Sequence, residues 1–528
     1  MRTPFRPIGP VLLALALALS SIGFAAGTLR MAITQDEGTL TPYTYMTGYP
    51  GYELMTLIYD QLFLLDEDLA PQPWLAESLT IADDDLAYTL TLREGLAWHD
   101  GEPLTADDVA FSIGYYQTHI LGRFTTSANK VANVEVRDPR TVVLTLSAPD
   151  ATFVQTGLAD LPMLPQHVWA DVEEPRQMAE SMGSGPYMVA EYRADQFYRF
   201  VANPNYWGPE PTFDTIIAPI IRDETATFQA LIAGDIDVAT RPVPAGLVDT
   251  FAGRNDLELA QGPGFASTIL IMDVSEGALA DVEVRRIIGG SIDYGRLIDT
   301  LLLGYGTAGT PGFLHPASPF ANPATAEYAH VSPAEAQERL VAAGYERGAD
   351  GVFVSPDGDR LEFTFLAPSN NPTRLRAAEL IGQDLNAAGL RVTVRAIENE
   401  ALVQRAWPDF DVSRGRDYEL SMFGWSAPVN AQANLRGLLH SDTAKGTLNL
   451  SGYGDPEADR LTDAAAVTTD PAERRTLLHA AQERLAQDLP LVTLFYQDGI
   501  YAFRPAAFDG WTYMAGQGII NKGSFVGR

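Results

Sequence analysis

The second half of the chain alternates helix and strand with short connections, and this alternation most limits its fold. Ser332-Pro-Ala-Glu335 reads as a capping box with proline at the first helical position, and the helix it opens ends at Gly344. A strand over 361–367 precedes a helix over 373–388, where Leu375, Ala378, Ile381, Leu385 and Ala388 form one apolar stripe. Gly389 ends that helix and a strand follows over 390–397. Asp470-Pro-Ala-Glu473 caps a helix over 471–488, followed by the strand LVTLFYQ over 491–497. Strands joined through helices build mixed or parallel sheets with helices on their faces, so the class is α/β.

The first half is richer in hairpins. Residues 28–35 alternate as a strand, and 53–65 read as a helix running into a short strand. Ala87–Leu92 and the two halves of Val131–Leu146, joined at Asp138-Pro-Arg140, are further strands. Thr105-Ala-Asp-Asp108 caps a helix over 106–117. Residues 186–202 form a hairpin turning near Ala194-Asp195, followed by a strand over 215–221 and a helix over 223–233 stopped by Gly234. A strand over 265–272 leads into a helix over 281–303. No internal repeat or low-complexity linker interrupts the chain.

Charge and cysteine narrow the function. The formal net charge of −32 argues against nucleic acid and anionic lipid as partners. There is no cysteine, which excludes disulfides, thiolate metal sites, a cysteine nucleophile and a lipid-modified N-terminal cysteine. Residues 1–25 read as a signal peptide: Arg2 and Arg6 precede the apolar run Val11–Leu19, and Gly23-Phe-Ala25 supplies small residues at the cleavage site. No later segment holds 18 uninterrupted apolar residues, so an exported soluble protein addressed to the periplasm is expected.

No catalytic motif stands out. The seven histidines are scattered, with no HExxH, and no serine sits in a GxSxG elbow. Gly304-Tyr-Gly306-Thr-Ala-Gly309 matches GxGxxG, but it lies after a helix and before Thr310-Pro-Gly, so a flexible loop is expected and no dinucleotide site. Neither a metal nor a cofactor is implied, and a hydrolase would need a triad assembled only in space. Aromatic residues beside glycine and proline are the richer signal. In Tyr418–Asn430, YELSMFGWSAPVN, a strand ends in Gly424-Trp425 and runs into a polar loop. Trp425 is there either core or the wall of a pocket. Tyr43, Tyr45, Met46 and Tyr49 in the Gly38–Tyr52 stretch either line a cleft or plug the loop onto its own domain. A binding protein outranks an enzyme on these grounds.

Several motifs occur in one order along the chain: Trp74-Leu-Ala-Glu-Ser, Tyr88-Thr-Leu-Thr-Leu-Arg93, His99-Asp-Gly-Glu-Pro-Leu-Thr-Ala-Asp-Asp-Val, Gly183-Ser-Gly-Pro-Tyr187 with Asn203-Pro-Asn-Tyr-Trp-Gly208, Ala230-Leu-Ile-Ala-Gly-Asp-Ile-Asp237, and Asp281-Val-Glu-Val-Arg-Arg286. Together they resemble the oligopeptide/dipeptide-type (family 5, cluster C) solute-binding proteins of ABC importers. The resemblance implies a two-lobed periplasmic binding protein of the type II, Venus-flytrap kind, with mixed sheets and an extra small α+β domain. Lobe I would comprise 26–55, 183–264 and 491–528, the extra domain 56–182, and lobe II 265–490. Crossings would fall near Gly264–Ser267 and Pro490–Thr493, with His99-Asp-Gly as a structural turn. The implied function is capture of a peptide-like solute between the lobes by a monomer that delivers it to membrane permease subunits. An oligosaccharide or other neutral solute is the alternative ligand, and a secreted hydrolase a distant one.

The residues expected at the ligand are Phe423, Gly424, Trp425 and Ser426, with Tyr45, Met46 and Tyr49 from the first segment, Phe265 and Tyr496 by the implied crossings, and Trp511. One departure stands out. Peptide-binding members carry an aspartate a few residues after Gly-Trp that pairs with the peptide's ammonium. Here Pro428 occupies about that place and offers neither charge nor N–H. A buried ammonium needs a partner. Either Glu398, Glu400, Asp417 or Glu419 supplies it, or the ligand has no free ammonium there.

Overall fold

The computed structural model describes residues 27–46, 50–425 and 431–526. The expected signal peptide, Tyr49, and Ser426 to Asn430 with Pro428 lie outside the described residues.

A seven-stranded mixed sheet organises the first lobe, in the order Glu258–Gly262, Gly499–Phe503, Val238–Ala239, Thr28–Ala32, Thr215–Pro219, Phe197–Ala202, Tyr187–Arg193. Thr28–Ala32 runs parallel to both its neighbours, and a parallel return needs a crossover. The helix Glu224–Ala233 lies on the second such return: the Asp223 carboxylate accepts from the Ala226 N–H (2.7 Å) at its start, and Gly234, at φ 85°, ends it. The 187–202 hairpin turns at Asp195, in the left-handed region at φ 58°.

A second, six-stranded sheet runs Gly306–Ala308, Leu491–Gln497, Ser267–Met272, Leu420–Trp425, Glu362–Pro368, Arg391–Ile397. Every residue of Ser267–Met272 is buried, as are Leu491–Tyr496. Both strands are central and covered on both faces, which is why they read as continuous apolar runs without alternation. One face packs on the helices Val282–Ser291 and Pro372–Ala387, the other on Pro456–Val467 and Pro471–Asp488.

A four-stranded antiparallel sheet, Ala76–Ile81, Ala87–Leu92, Thr141–Leu146, Val131–Asp138, carries the helix Ala106–Thr118 on one side. Thr105 and Asp108 form the capping box at its start. The His99 turn joins this sheet to the first lobe: its ring Nδ1 accepts from the Gly183 N–H (3.3 Å), and Nε2 lies 3.1 Å from the Gly185 carbonyl. A Cβ on Gly183 or Gly185 would fall 2.0 or 2.4 Å from the Ile58 or Leu57 carbonyl oxygen, so GSGP is glycine-rich because two backbones touch there.

The chain crosses between the large sheets twice. The outward crossing lies between Gly262 and Ser267, the return between Gln497 and Gly499. The return was expected at Pro490–Thr493, with 491–497 in lobe I. Leu491–Gln497 is instead paired on both sides within the second sheet, and its two-sided burial places it there. The crossings lie against each other, since a Cβ on Gly264 would stand 2.0 Å from the Gln497 carbonyl oxygen. Two further expectations change. Gly306–Ala308, expected in a loop, is an edge strand of the second sheet. The single helix expected over 281–303 is two, because Asp293 caps a new one by accepting from the Arg296 N–H (2.9 Å).

Away from the crossings the four-stranded sheet's domain also touches the second lobe. The Ala151 N–H donates to the Ala466 carbonyl (3.1 Å), the Thr469 hydroxyl to Asp85 (2.8 Å), and Arg474 to the Ala151 carbonyl.

Candidate functional site

The strand Leu420–Trp425 runs antiparallel to Ser267–Met272 with Trp425 opposite Ser267, so its last residues arrive at the outward crossing. Leu420 and Met422 enter one core face, while Phe423 and Trp425 turn to the other and remain half-buried. Trp425 meets Phe423 at 5.4 Å and Trp407 edge-on at 5.7 Å, and Trp407 meets the exposed Phe410 at 5.2 Å. This is an aromatic wall with open faces.

Gly424 has no side chain for a physical reason. A Cβ there would lie 1.9 Å from the Arg374 guanidinium, which rests on the strand at this point. Arg374 sits in the first turn of Pro372–Ala387, after the N-cap Asn371. Its guanidinium forms no hydrogen bond or ion pair with any described residue, and burial holds its pKa below the usual arginine value. Few desolvated arginines lack a counter-charge unless they face a site.

Phe265 stands on the outward crossing, 5% exposed, packed with Leu69 and Met514 and 5.2 Å from the His315 ring. Burial lowers His315 to about 4, so it is neutral at pH 7.

Met514 also lines a cavity on the first lobe's side. This cavity of about 560 Å³ opens between the C-terminal segment and the four-stranded domain, with walls that include Tyr52, Glu53, Trp74, Arg123, Asp160, Met514 and Lys522. That volume suits a small organic or peptide-sized ligand. Arg123 lies 3.6 Å from the Tyr52 ring centre and chelates Asp160 at 2.6 and 3.0 Å, and the Tyr52 hydroxyl donates to the same carboxylate. Lys522 and Asp60 form a wholly buried pair at 2.6 Å, and Asp60 also accepts from Trp74 Nε1 (2.9 Å), Ser184 Oγ (3.1 Å) and Trp207 Nε1 (3.3 Å). Three of the sequence motifs thus converge on one carboxylate.

Several expected ligand residues lie elsewhere. Tyr496 is 1% exposed and its hydroxyl donates to the Phe313 carbonyl (2.6 Å), so it belongs to the interior of the second lobe. Trp511 packs with Phe503, Phe508 and Phe525 in the first lobe. Met46 is 70% exposed, tied down through its N–H to Glu37 (2.7 Å). Tyr45 is half-buried against Tyr52 and Phe124, behind the cavity wall. The four acids proposed to replace the missing aspartate all point outward. Glu398 caps the helix Asn399–Ala406, Asp417 pairs with Arg405, Glu419 accepts from the Thr364 N–H, and Glu400 is exposed.

Sequence reasoning missed Glu53 and Arg374. Each left a trace: Glu53 is the one charge in the otherwise uncharged helix Gly51–Thr56, and Arg374 is a cation in a helix's first turn, against the helix dipole.

Two α/β lobes joined by adjacent crossings, with an aromatic wall on one and a cavity on the other, define the two-lobed solute-binding class. The chain belongs to the bacterial extracellular solute-binding proteins, family 5, whose model matches residues 70–447. Similar proteins include the oligopeptide-binding protein AppA of Bacillus subtilis, 26% identical over 92% of this chain and 89% of that protein. Another is di/tripeptide-binding protein 1 of Pseudomonas aeruginosa, 25% identical over 95% of each. Among solved structures, the ABC transporter substrate-binding protein CtaP of Listeria monocytogenes shares the fold, with a TM-score of 0.81, 23% identity and coverage of 95% of this chain and 99% of that one.

Proposed function

We propose that the protein is a periplasmic, monomeric receptor that captures a peptide-like solute between its lobes and presents it to an ABC import permease. One observation carries the reading: at the end of the strand Leu420–Trp425, Arg374, desolvated and without a described counter-charge, lies against Gly424, on the face opposite the half-buried rings of Phe423 and Trp425. An arginine in that state suits an anionic group such as a peptide carboxylate, and the rings suit side chains of varied shape. The relatives named for oligopeptides and for di- and tripeptides support the same ligand class. Gly424, Phe423, Trp425 and Phe265 are the contacts we assign from the first expectation, with Arg374 added.

The test is native mass spectrometry of protein purified without denaturation. A series of masses spaced by amino-acid residues is expected. Hexose spacing would replace the peptide with a sugar, and turnover of any bound compound would overturn the receptor reading.

A further inference from the structure

We propose that Glu53 receives the ligand's amino-terminal ammonium, replacing from the first lobe the acid that the Gly-Trp loop lacks. The inference rests on the peptide reading above. Among the described residues lining the cavity, four carry carboxylates: Glu53, Asp66, Glu67 and Asp160. Asp160 is committed to Arg123 and Tyr52. Asp66 accepts from the Asp68 and Ala70 N–H groups and from the Gln72 amide, closing its own turn. Glu67 is exposed. Glu53 alone is both buried, at 8% exposure, and free of any hydrogen bond or ion pair from its carboxylate to a described residue.

The nearby cations Arg123 and Lys522 favour its charged form through space but make their direct contacts elsewhere. Arg123 is held by Asp160 and Lys522 by Asp60. What remains is one carboxyl on the cavity wall with no direct hydrogen bond or ion pair to a described residue. Burial pushes it up to about 7, the state of an acid waiting for a positive partner. A primary ammonium supplies the charge and three donors in a compact head, which a cavity of this size admits with the residues that follow.

The experiment starts from a pool of free-ended tri- to hexapeptides offered to ligand-stripped protein. The tightest binder is remade with an acetylated amino terminus, and both forms are titrated calorimetrically into wild type and Glu53→Gln. Acetylation and the substitution should each weaken binding about 30-fold or more, the loss for one partner of a buried charge pair. Acetylation should cost Glu53→Gln nothing further. Equal affinity of wild type for free and acetylated peptide would overturn the assignment and leave the peptide reading standing. So would losses from acetylation and substitution that simply add. A pool that does not bind wild type at all would sink the peptide reading, and this inference with it. The acetylation arm needs no variant, so a folding defect in Glu53→Gln cannot mask the answer.

Discussion

Glu53 sits in a helix whose six residues are all buried. An acid raised by burial binds its proton more tightly in the folded state than in the unfolded chain. Its contribution to stability is present below the unfolded value near 4.5 and is lost as pH rises through about 7. At pH 8 the ligand-free protein therefore carries an ionised, unpartnered carboxylate costing on the order of 3 kcal/mol at most. Glu53→Gln should melt a few degrees above wild type at pH 8, and the two should converge by pH 5, read by calorimetry without ligand. A variant less stable than wild type at pH 8 would mean that Glu53 has a partner. Trp425 makes a different prediction at the same scale. Its ring is half-exposed, so Trp425→Ala should weaken peptide binding about tenfold or more while leaving the melting temperature nearly unchanged. A collapse in stability would return Trp425 to the core. Neither Glu53 nor Arg374 was legible as a binding group from the sequence, because a free carboxylate and a paired one are written with the same letter. The pairing state exists only once Asp160 has claimed Arg123 and Asp60 has claimed Lys522.

At the scale of elements, the sequence was far more legible. The strand Leu491–Gln497 and the helix Pro471–Asp488 fall where their caps and apolar runs place them. What a run such as LVTLFYQ does not carry is which sheet it joins, because burial on both faces suits a central strand of either lobe. The return crossing was misplaced for that reason, and its position matters for the hinge. Gly264→Ala would drive a Cβ into the Gln497 carbonyl, forcing the two crossings apart. The variant should lose a few degrees of melting temperature, in the range of about 1–3 kcal/mol for overpacking. Gly246→Ala, where nothing lies within 4 Å, is the control and should melt as wild type does. Equal melting of the two would show that the crossings can separate freely.

At the scale of the molecule, the lobes meet at the crossings and at the Ala151–Ala466–Arg474 bridge. Net hydrogen bonds contribute about 1 kcal/mol each, so three of them set a preference that a ligand touching both lobes can outweigh. X-ray scattering should show a smaller radius of gyration on adding a peptide that binds. Arg474→Ala, which removes one of the three bridging hydrogen bonds but touches neither the cavity nor the aromatic wall, should enlarge the ligand-free radius. An unchanged radius with bound peptide would remove lobe closure from the mechanism.

The Lys522–Asp60 pair joins residues 462 positions apart, and the first sheet places Thr28–Ala32 two strands from Gly499–Phe503. The second sheet, by contrast, is drawn from one continuous stretch, Ser267 to Gln497. As the chain emerges from N- to C-terminus, the second lobe has all its strands before the first does. The first lobe waits, with Asp60 unpaired and a sheet still lacking an interior strand, until residues beyond Gly499 arrive.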